Sequence, residues 1–220
     1  MTALEFVHNF IDIYNAEDSY LSFFIPLTLW LSAFLYCEFK AIKFAEYVPI
    51  FNTHHALGLA FATISLYFDD ESIFPERNVI MFTLSFFTVD LIDSLRNGDI
   101  QYTIHAICCL FLGLSNYNTP TFYRLRMNSK AMYHEISSPF LHWSKKTRKP
   151  LHFAMFALAF TLCRIVWLPI MIKQILDDGF PWKDFRFLVI VAFYTLNLYW
   201  YSKIVKILIY GPSKKKNKKE

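Results

Sequence analysis

Long apolar blocks separated by short charged loops constrain this chain more than any other feature of its sequence. A helix needs about 20 mostly apolar residues to cross a bilayer. Four blocks approach or exceed that length, at 20–37, 79–95, 151–176 and 185–210. Two shorter blocks, at 55–68 and 101–115, are further candidates. The pattern predicts an all-α fold, a multi-pass transmembrane helical bundle, and it argues against a soluble enzyme.

The composition agrees with one membrane domain. Hydrophobic residues make up 55% of the 220 residues and charged residues 18%, whereas soluble domains are about 25% charged. We expect a luminal N-terminal segment at 1–19, a transmembrane domain at 20–210 and a cytosolic lysine-rich tail at 211–220. The basic residues flank apolar blocks, which indicates membrane orientation rather than nucleic-acid binding.

Loop charge predicts the number of spans. Basic clusters lie at 145–149 and 203–219, whereas acidic residues lie in 5–18, 69–71 and 177–184. If the segment 121–143 is also a span, nearly every basic cluster falls on the cytosolic side, as positive-inside orientation requires. The charges therefore predict about seven spans, with the N-terminus luminal and the C-terminus cytosolic.

The segment 121–143 carries charges that lipid would not tolerate. Arg126, Lys130 and His134 recur every four residues, which would place them on one face of a single helix. A charge at the bilayer centre costs about 2.5–3.5 kcal/mol or more, so this face is expected to line a polar cavity inside the bundle. An amphipathic helix lying on the membrane surface is the alternative.

Ionisable residues inside the other spans complete the candidate site. We predict catalytic roles for His105, His134 and Glu135, because a carboxylate beside an imidazole can orient the ring for proton transfer. The rise of a helix puts Asp90, His105 and Glu135 at ~6–10 Å from the cytosolic ends of their spans.

Three further charged residues are predicted to bind the substrate. They are Asp90, Asp93 and Arg164, and Arg164 would neutralise Asp90 or Glu135. The alternative is that the two aspartates pair with Arg96 or Arg164 only to hold helices together.

The sequence contains no motif of a metal site, a nucleotide-binding loop or a serine hydrolase. The chain has no HExxH, P-loop or GxSxG motif, and its four cysteines lie in apolar stretches without CxxC spacing. We therefore expect no metal and no cofactor, membrane lipids as partners and no nucleic acid. The loops are too short to indicate which proteins bind to this one, so possible protein partners stay open.

An ordered set of motifs between about residue 40 and residue 210 resembles the TLC-domain family, which includes the Lag-type ceramide synthases and smaller lipid-related membrane proteins. The motifs are NTHH (52–55), FFTVDLI (86–92), GDIQYTIH (98–105), HEISSPFLHW (134–143) and FTLCRIVWLP (160–169). The resemblance implies a helical bundle around a lipid-accessible cavity. In the synthases a histidine pair and a His-Asp-x-Ser-Asp stretch serve acyl transfer. Here Ile104 precedes His105, and Glu135 and Ser138 replace the two aspartates, so the chain is closer to the smaller non-synthase members.

These features predict a protein that binds lipid in an intramembrane cavity and influences membrane lipid composition or trafficking. The alternative is a ceramide synthase-like N-acyltransferase of sphingolipid metabolism, with acyl-CoA as co-substrate and a sphingoid base as acceptor. A cargo receptor or translocation helper is a third class, and a transporter or channel a more distant fourth. Lys216 and Lys218 resemble a dilysine retrieval signal, which implies the endoplasmic reticulum. The alternative reading of these lysines is a polybasic patch that binds anionic lipid.

Overall fold

The computed structural model describes residues 20–68 and 74–211. Within these ranges the chain forms helices joined by short turns. The predicted luminal segment 1–19, the acidic residues 69–71 and the lysines of the tail from 212 to 220 lie outside the described residues.

Four long helices form the first half of the described chain. They are α1 (Leu21–Phe39), α2 (Val48–Phe68), α3 (Glu76–Arg96) and α4 (Ile100–Asn118). A single 3₁₀ turn at Phe44–Glu46 precedes α2. Asp99 caps α4 by accepting a hydrogen bond from the backbone N–H of Tyr102.

Shorter helices and two more apolar rods form the second half. They are α5 (Pro120–Arg124), α6 (Met127–Met132), α7 (Ser137–Thr147), α8 (Pro150–Phe160), α9 (Trp167–Asp177) and α10 (Phe185–Tyr210). A 3₁₀ turn at Tyr133–Ile136 joins α6 to α7. A π-helical turn at Thr161–Val166 joins α8 to α9, so that the two form one rod.

Helix α3 lies at the centre of the bundle and packs against α1, α2 and α4. On α1 the buried residues Trp30 and Phe34 follow each other at the four-residue spacing of one helix face. Trp30 meets Phe86 of α3 edge to face, with ring centroids 5.6 Å apart. Aromatic packing of this kind fixes α1 against the centre of the molecule.

The four longest predicted blocks are confirmed as helices long and apolar enough to cross a membrane. They are Leu21–Phe39, Glu76–Arg96, Pro150–Asp177 and Phe185–Tyr210. Large apolar side chains on these helices are exposed, as lipid-facing residues would be. Examples are Leu35, Leu158 and Leu208, each at least half exposed. The chain is therefore an all-α membrane bundle, and the count of seven spans stays a prediction.

The prediction of one continuous helix over 121–143 is wrong. Arg126 adopts a left-handed backbone conformation with φ of 50° and separates α5 from α6. A helix cannot pass through such a residue, because a left-handed conformation redirects the chain. The face shared by Arg126, Lys130 and His134 therefore does not exist.

All three side chains nevertheless contact protein, although only His134 lines the cavity described below. Arg126 Nη1 donates a hydrogen bond to Ser65 Oγ at 2.7 Å, and Lys130 Nζ donates one to Gln174 Oε1 at 2.9 Å. His134 is buried. The segment packs against α2 and α3 within the bundle.

Candidate functional site

The carboxylate of Glu135 is the centre of a buried polar cluster. It lies on the 3₁₀ turn between α6 and α7, where the chain changes direction. Ser138 Oγ, three residues later, donates a hydrogen bond to Glu135 Oε2 at 2.9 Å. The Arg164 guanidinium approaches the same carboxylate at 3.4 Å. Two charges removed from water thus compensate each other.

Arg164 reaches this position from the π-helical turn between α8 and α9. Its Nε donates to Ser137 Oγ at 2.9 Å, and its Nη1 lies 3.5 Å from Asn197 Oδ1 on α10. The guanidinium also lies over the ring of Phe160, 5.5 Å from the centroid. A π-helical turn is rare and is frequent at functional sites. Here it carries the cation that joins three segments of the chain.

His55 brings α2 to the cluster. Its Nδ1 lies 3.1 Å from Glu135 Oε2, although the angle of approach is not that of an aligned hydrogen bond. The preceding residue, His54, points elsewhere and stacks on Phe86 with ring centroids 3.7 Å apart. Of the two adjacent histidines, His55 therefore belongs to the site and His54 to the aromatic core.

His134 lies on the 3₁₀ turn Tyr133–Ile136, directly before Glu135. Its Nε2 is buried and has no hydrogen-bond partner among the residues that the structure describes. Buried polar atoms are nearly always paired, so an unpaired one is a position where a ligand or a water can bind. Both ring nitrogens of His54 and of His55 likewise have no hydrogen-bond partner among the described residues. The ring of His134 lies 6.2 Å from that of Phe193 on α10.

His105 approaches the cluster from α4. Its ring packs against Phe87, Phe193 and Trp200, and its Nε2 lies 3.6 Å from Cys109 Sγ one turn further along the helix. Because Phe193 packs against His134 as well, the two predicted catalytic histidines contact the same phenylalanine. They do not contact each other through a hydrogen bond in the described structure.

The two predicted substrate-binding aspartates have different surroundings. Asp90 is buried, and among the described residues it forms no hydrogen bond or ion pair with Glu135 or Arg164. Asp93 accepts hydrogen bonds from Asn97 Nδ2 at 2.9 Å and from the backbone of Phe44 and Ala45. Asp93 therefore fastens the turn before α2 to the end of α3, away from the cluster around Glu135.

A cavity of about 80 Å³ lies between α3, α4, α6, α9 and α10. Along α4 its lining runs from Cys109 to Asn116, two helical turns or ~10 Å. Most of the lining side chains are apolar, and the polar ones are Thr83, Asn116, Asn128, His134 and Glu135. The predicted polar lining is thus limited to a few positions.

The donor set does not resemble a metal centre. Among residues 20–68 and 74–211, no three His, Cys, Asp or Glu side chains lie together in an arrangement that could hold a metal ion.

Four residues of the cluster were not in the predicted site. His55 belongs to a histidine pair in an apolar stretch, and Asn197 is a lone amide in an apolar span, so intramembrane polarity could have identified both. Ser137 and Ser138 follow Glu135 directly, and their proximity in sequence is the signal.

Comparison with protein families identifies the class of this molecule. The model of the TLC domain matches residues 70–206, which include α3 and most of the chain beyond it. The chain belongs to the TLC-domain family. Neither the curated proteins nor the solved structures provide a match.

Proposed function

We propose that the protein binds a lipid in its intramembrane cavity, with the polar end of the lipid at His134 and Glu135, and that it thereby influences membrane lipid composition or trafficking. The observation that carries this proposal is the unpaired His134 Nε2 beside a narrow apolar cavity. The apolar walls suit a hydrocarbon chain, and the imidazole nitrogen supplies a hydrogen bond to the polar end. TLC-domain membership supports a role related to membrane lipids.

The paired charges also favour lipid binding. Arg164 and Glu135 compensate each other, and Ser137, Ser138 and Asn197 supply further hydrogen bonds. A pair neutralised in this way keeps a polar site inside the membrane without a net charge that lipid would oppose.

The test is mass spectrometry of the lipids that co-purify with the protein in mild detergent. His134→Phe removes the nitrogen and keeps a ring of similar volume, so we expect loss of the retained species. The matched control is His152→Phe, since His152 stacks on Trp143 and bonds Thr147 outside the cavity. Equal retention by the parent and His134→Phe would contradict the proposal.

An N-acyltransferase that joins the acyl group of acyl-CoA to a sphingoid base is the second candidate. The observation that favours it is the packing of both His105 and His134 against Phe193. One imidazole could accept the proton of the attacking amine while Glu135 orients its surroundings. Membranes containing the protein would be incubated with labelled acyl-CoA and a sphingoid base. Absence of a labelled amide above an empty-vector control would contradict this candidate.

We further propose that the protein resides in the endoplasmic reticulum with its basic loops in the cytosol. The basic cluster at 145–149 and the dilysine-like pattern of Lys216 and Lys218 support this location. Replacement of both tail lysines by alanine should move a fluorescently tagged protein to later secretory membranes. An unchanged distribution would count against the retrieval signal.

A further inference from the structure

Glu76 is a fully buried carboxylate that the proposed function does not use. It is the first residue of α3, and its side chain crosses to α6. Glu76 Oε1 accepts hydrogen bonds from the backbone N–H groups of Asn128 and Ser129, each at 3.0 Å. Glu76 Oε2 accepts one from the Ser129 hydroxyl and lies 3.4 Å from Ser65 Oγ.

These contacts satisfy the beginning of α6. The first N–H groups of a helix have no partner within the helix, and the positive end of the helix dipole attracts an anion. Asn128 and Ser129 are the second and third residues of α6, directly after the left-handed Arg126. Ser65 on α2 also accepts a hydrogen bond from Arg126. The hydrogen bonds among Ser65, Glu76 and Ser129, called the Glu76 anchor below, therefore join α2, α3 and α6.

The helix that Glu76 holds leads directly to the site. Met127, Asn128, Ala131 and Met132 of α6 line the cavity, and the site turn begins where α6 ends. A helix as short as α6 is not stable by itself, so its position depends on tertiary contacts. We propose that Glu76 is a positioning residue: it holds α6, and through α6 the side chains of His134 and Glu135, against the cavity.

The experiment measures how often the cavity wall opens. In the full-length protein, Cys37, Cys108 and Cys163 are replaced by alanine, so that Cys109, which lines the cavity, is the remaining thiol. Cys109 is partly exposed, so N-ethylmaleimide labels the parent in detergent at a basal rate, and an increase over that rate reports displacement of α6. Glu76→Gln should raise this rate about tenfold, the size expected for weakening hydrogen bonds to a charged group. Ser129→Ala removes one hydroxyl from the Glu76 anchor and should raise the labelling rate less.

The matched control is Ser22→Ala. It removes a buried hydrogen bond of 2.7 Å to Asn78, near Glu76 on α3 but directed at α1 rather than α6. We expect labelling of this variant at the rate of the parent, although its unfolding temperature should also fall. Unchanged labelling of Glu76→Gln, or equal acceleration by Ser22→Ala, would overturn the proposal. If Glu76→Gln does not fold, the comparison of Ser129→Ala with Ser22→Ala decides in the same way.

The effect on lipid rests on the proposed function and is measured separately. Glu76→Gln should retain less co-purified lipid than Ser22→Ala at a similar unfolding temperature. A parent protein that retains no lipid would contradict the proposed function, whereas the labelling rates would still decide whether Glu76 positions α6.

Discussion

The guanidinium of Arg164 lies 3.4 Å from Oε1 of Glu135, and the two side chains are 7% and 11% exposed. Each charge alone would carry a large desolvation cost at this depth. The pair also receives hydrogen-bonding groups from Ser137, Ser138 and Asn197. Arg164 and Glu135 therefore form a unit whose members depend on each other.

A double-mutant cycle tests this dependence. Arg164→Met leaves the carboxylate of Glu135 buried without its cation, and we expect a loss of stability of about 3–5 kcal/mol. Replacement of both residues by methionine should cost much less than the sum of the single replacements, because no buried charge remains. Unfolding of the purified protein in mixed detergents measures the stability of each variant. Additive losses would show that the pair does not act as a unit.

The sequence carries enough information to predict part of this site. The spacing of apolar blocks predicts the rods that hold Asp90 and Arg164, and the cost of intramembrane charge predicts that Arg164 compensates an acid. The structure pairs Arg164 with Glu135. Both inferences depend on periodicity and charge, which a single sequence displays directly.

The interruption of the helix at Arg126 could not be predicted in this way. Arginine rarely adopts a left-handed conformation, and no glycine marks the position. The conformation is held by contacts from Glu76 and Ser65, which lie far away in the sequence. The π-helical turn around Arg164 likewise has no signal in the local sequence. At Arg126, contacts between residues distant in the sequence replace the regular helical pattern.

Filling the cavity should block lipid retention without changing the polar cluster. Met171 on α9 lines the cavity and is buried, so Met171→Trp should exclude a hydrocarbon chain. Overpacking should also lower stability by about 1–3 kcal/mol. Ile170→Trp is the control, because Ile170 is the preceding residue and is 43% exposed. Lipid analysis by mass spectrometry should show loss in Met171→Trp alone, and equal retention by both variants would refute a chain in this cavity.

The ion pair between Asp184 and Arg186 at the beginning of α10 should contribute to stability in a pH-dependent way. Asp184 accepts hydrogen bonds from the Arg186 side chain at 2.6 and 2.8 Å and from its backbone N–H at 2.8 Å. These bonds lower the pKa of Asp184 to about 2 from its ordinary value of 3.8. A depressed pKa means that the folded state favours the ionised carboxylate. The contribution is therefore complete above the ordinary pKa and is lost as the pH falls towards about 2.

Asp184→Asn should accordingly lower the unfolding temperature at neutral pH, and the difference from the parent should shrink at about pH 3. Lys183→Gln changes the adjacent residue without removing a carboxylate, so its difference from the parent should stay the same at both pH values. A difference for Asp184→Asn that is independent of pH would contradict the assignment.

The orientation of the bundle can be tested with two exposed lysines. Lys146 belongs to the basic cluster that begins in the last turn of α7, and Lys183 lies in the loop between α9 and α10. If basic clusters face the cytosol, a membrane-impermeant maleimide should label Lys146→Cys in sealed microsomes of a cysteine-free protein. Lys183→Cys should react only after the membrane is permeabilised, because the rod Pro150–Asp177 separates the two positions by one crossing. The reverse pattern would invert the topology, and labelling of both before permeabilisation would show that this rod does not span the membrane.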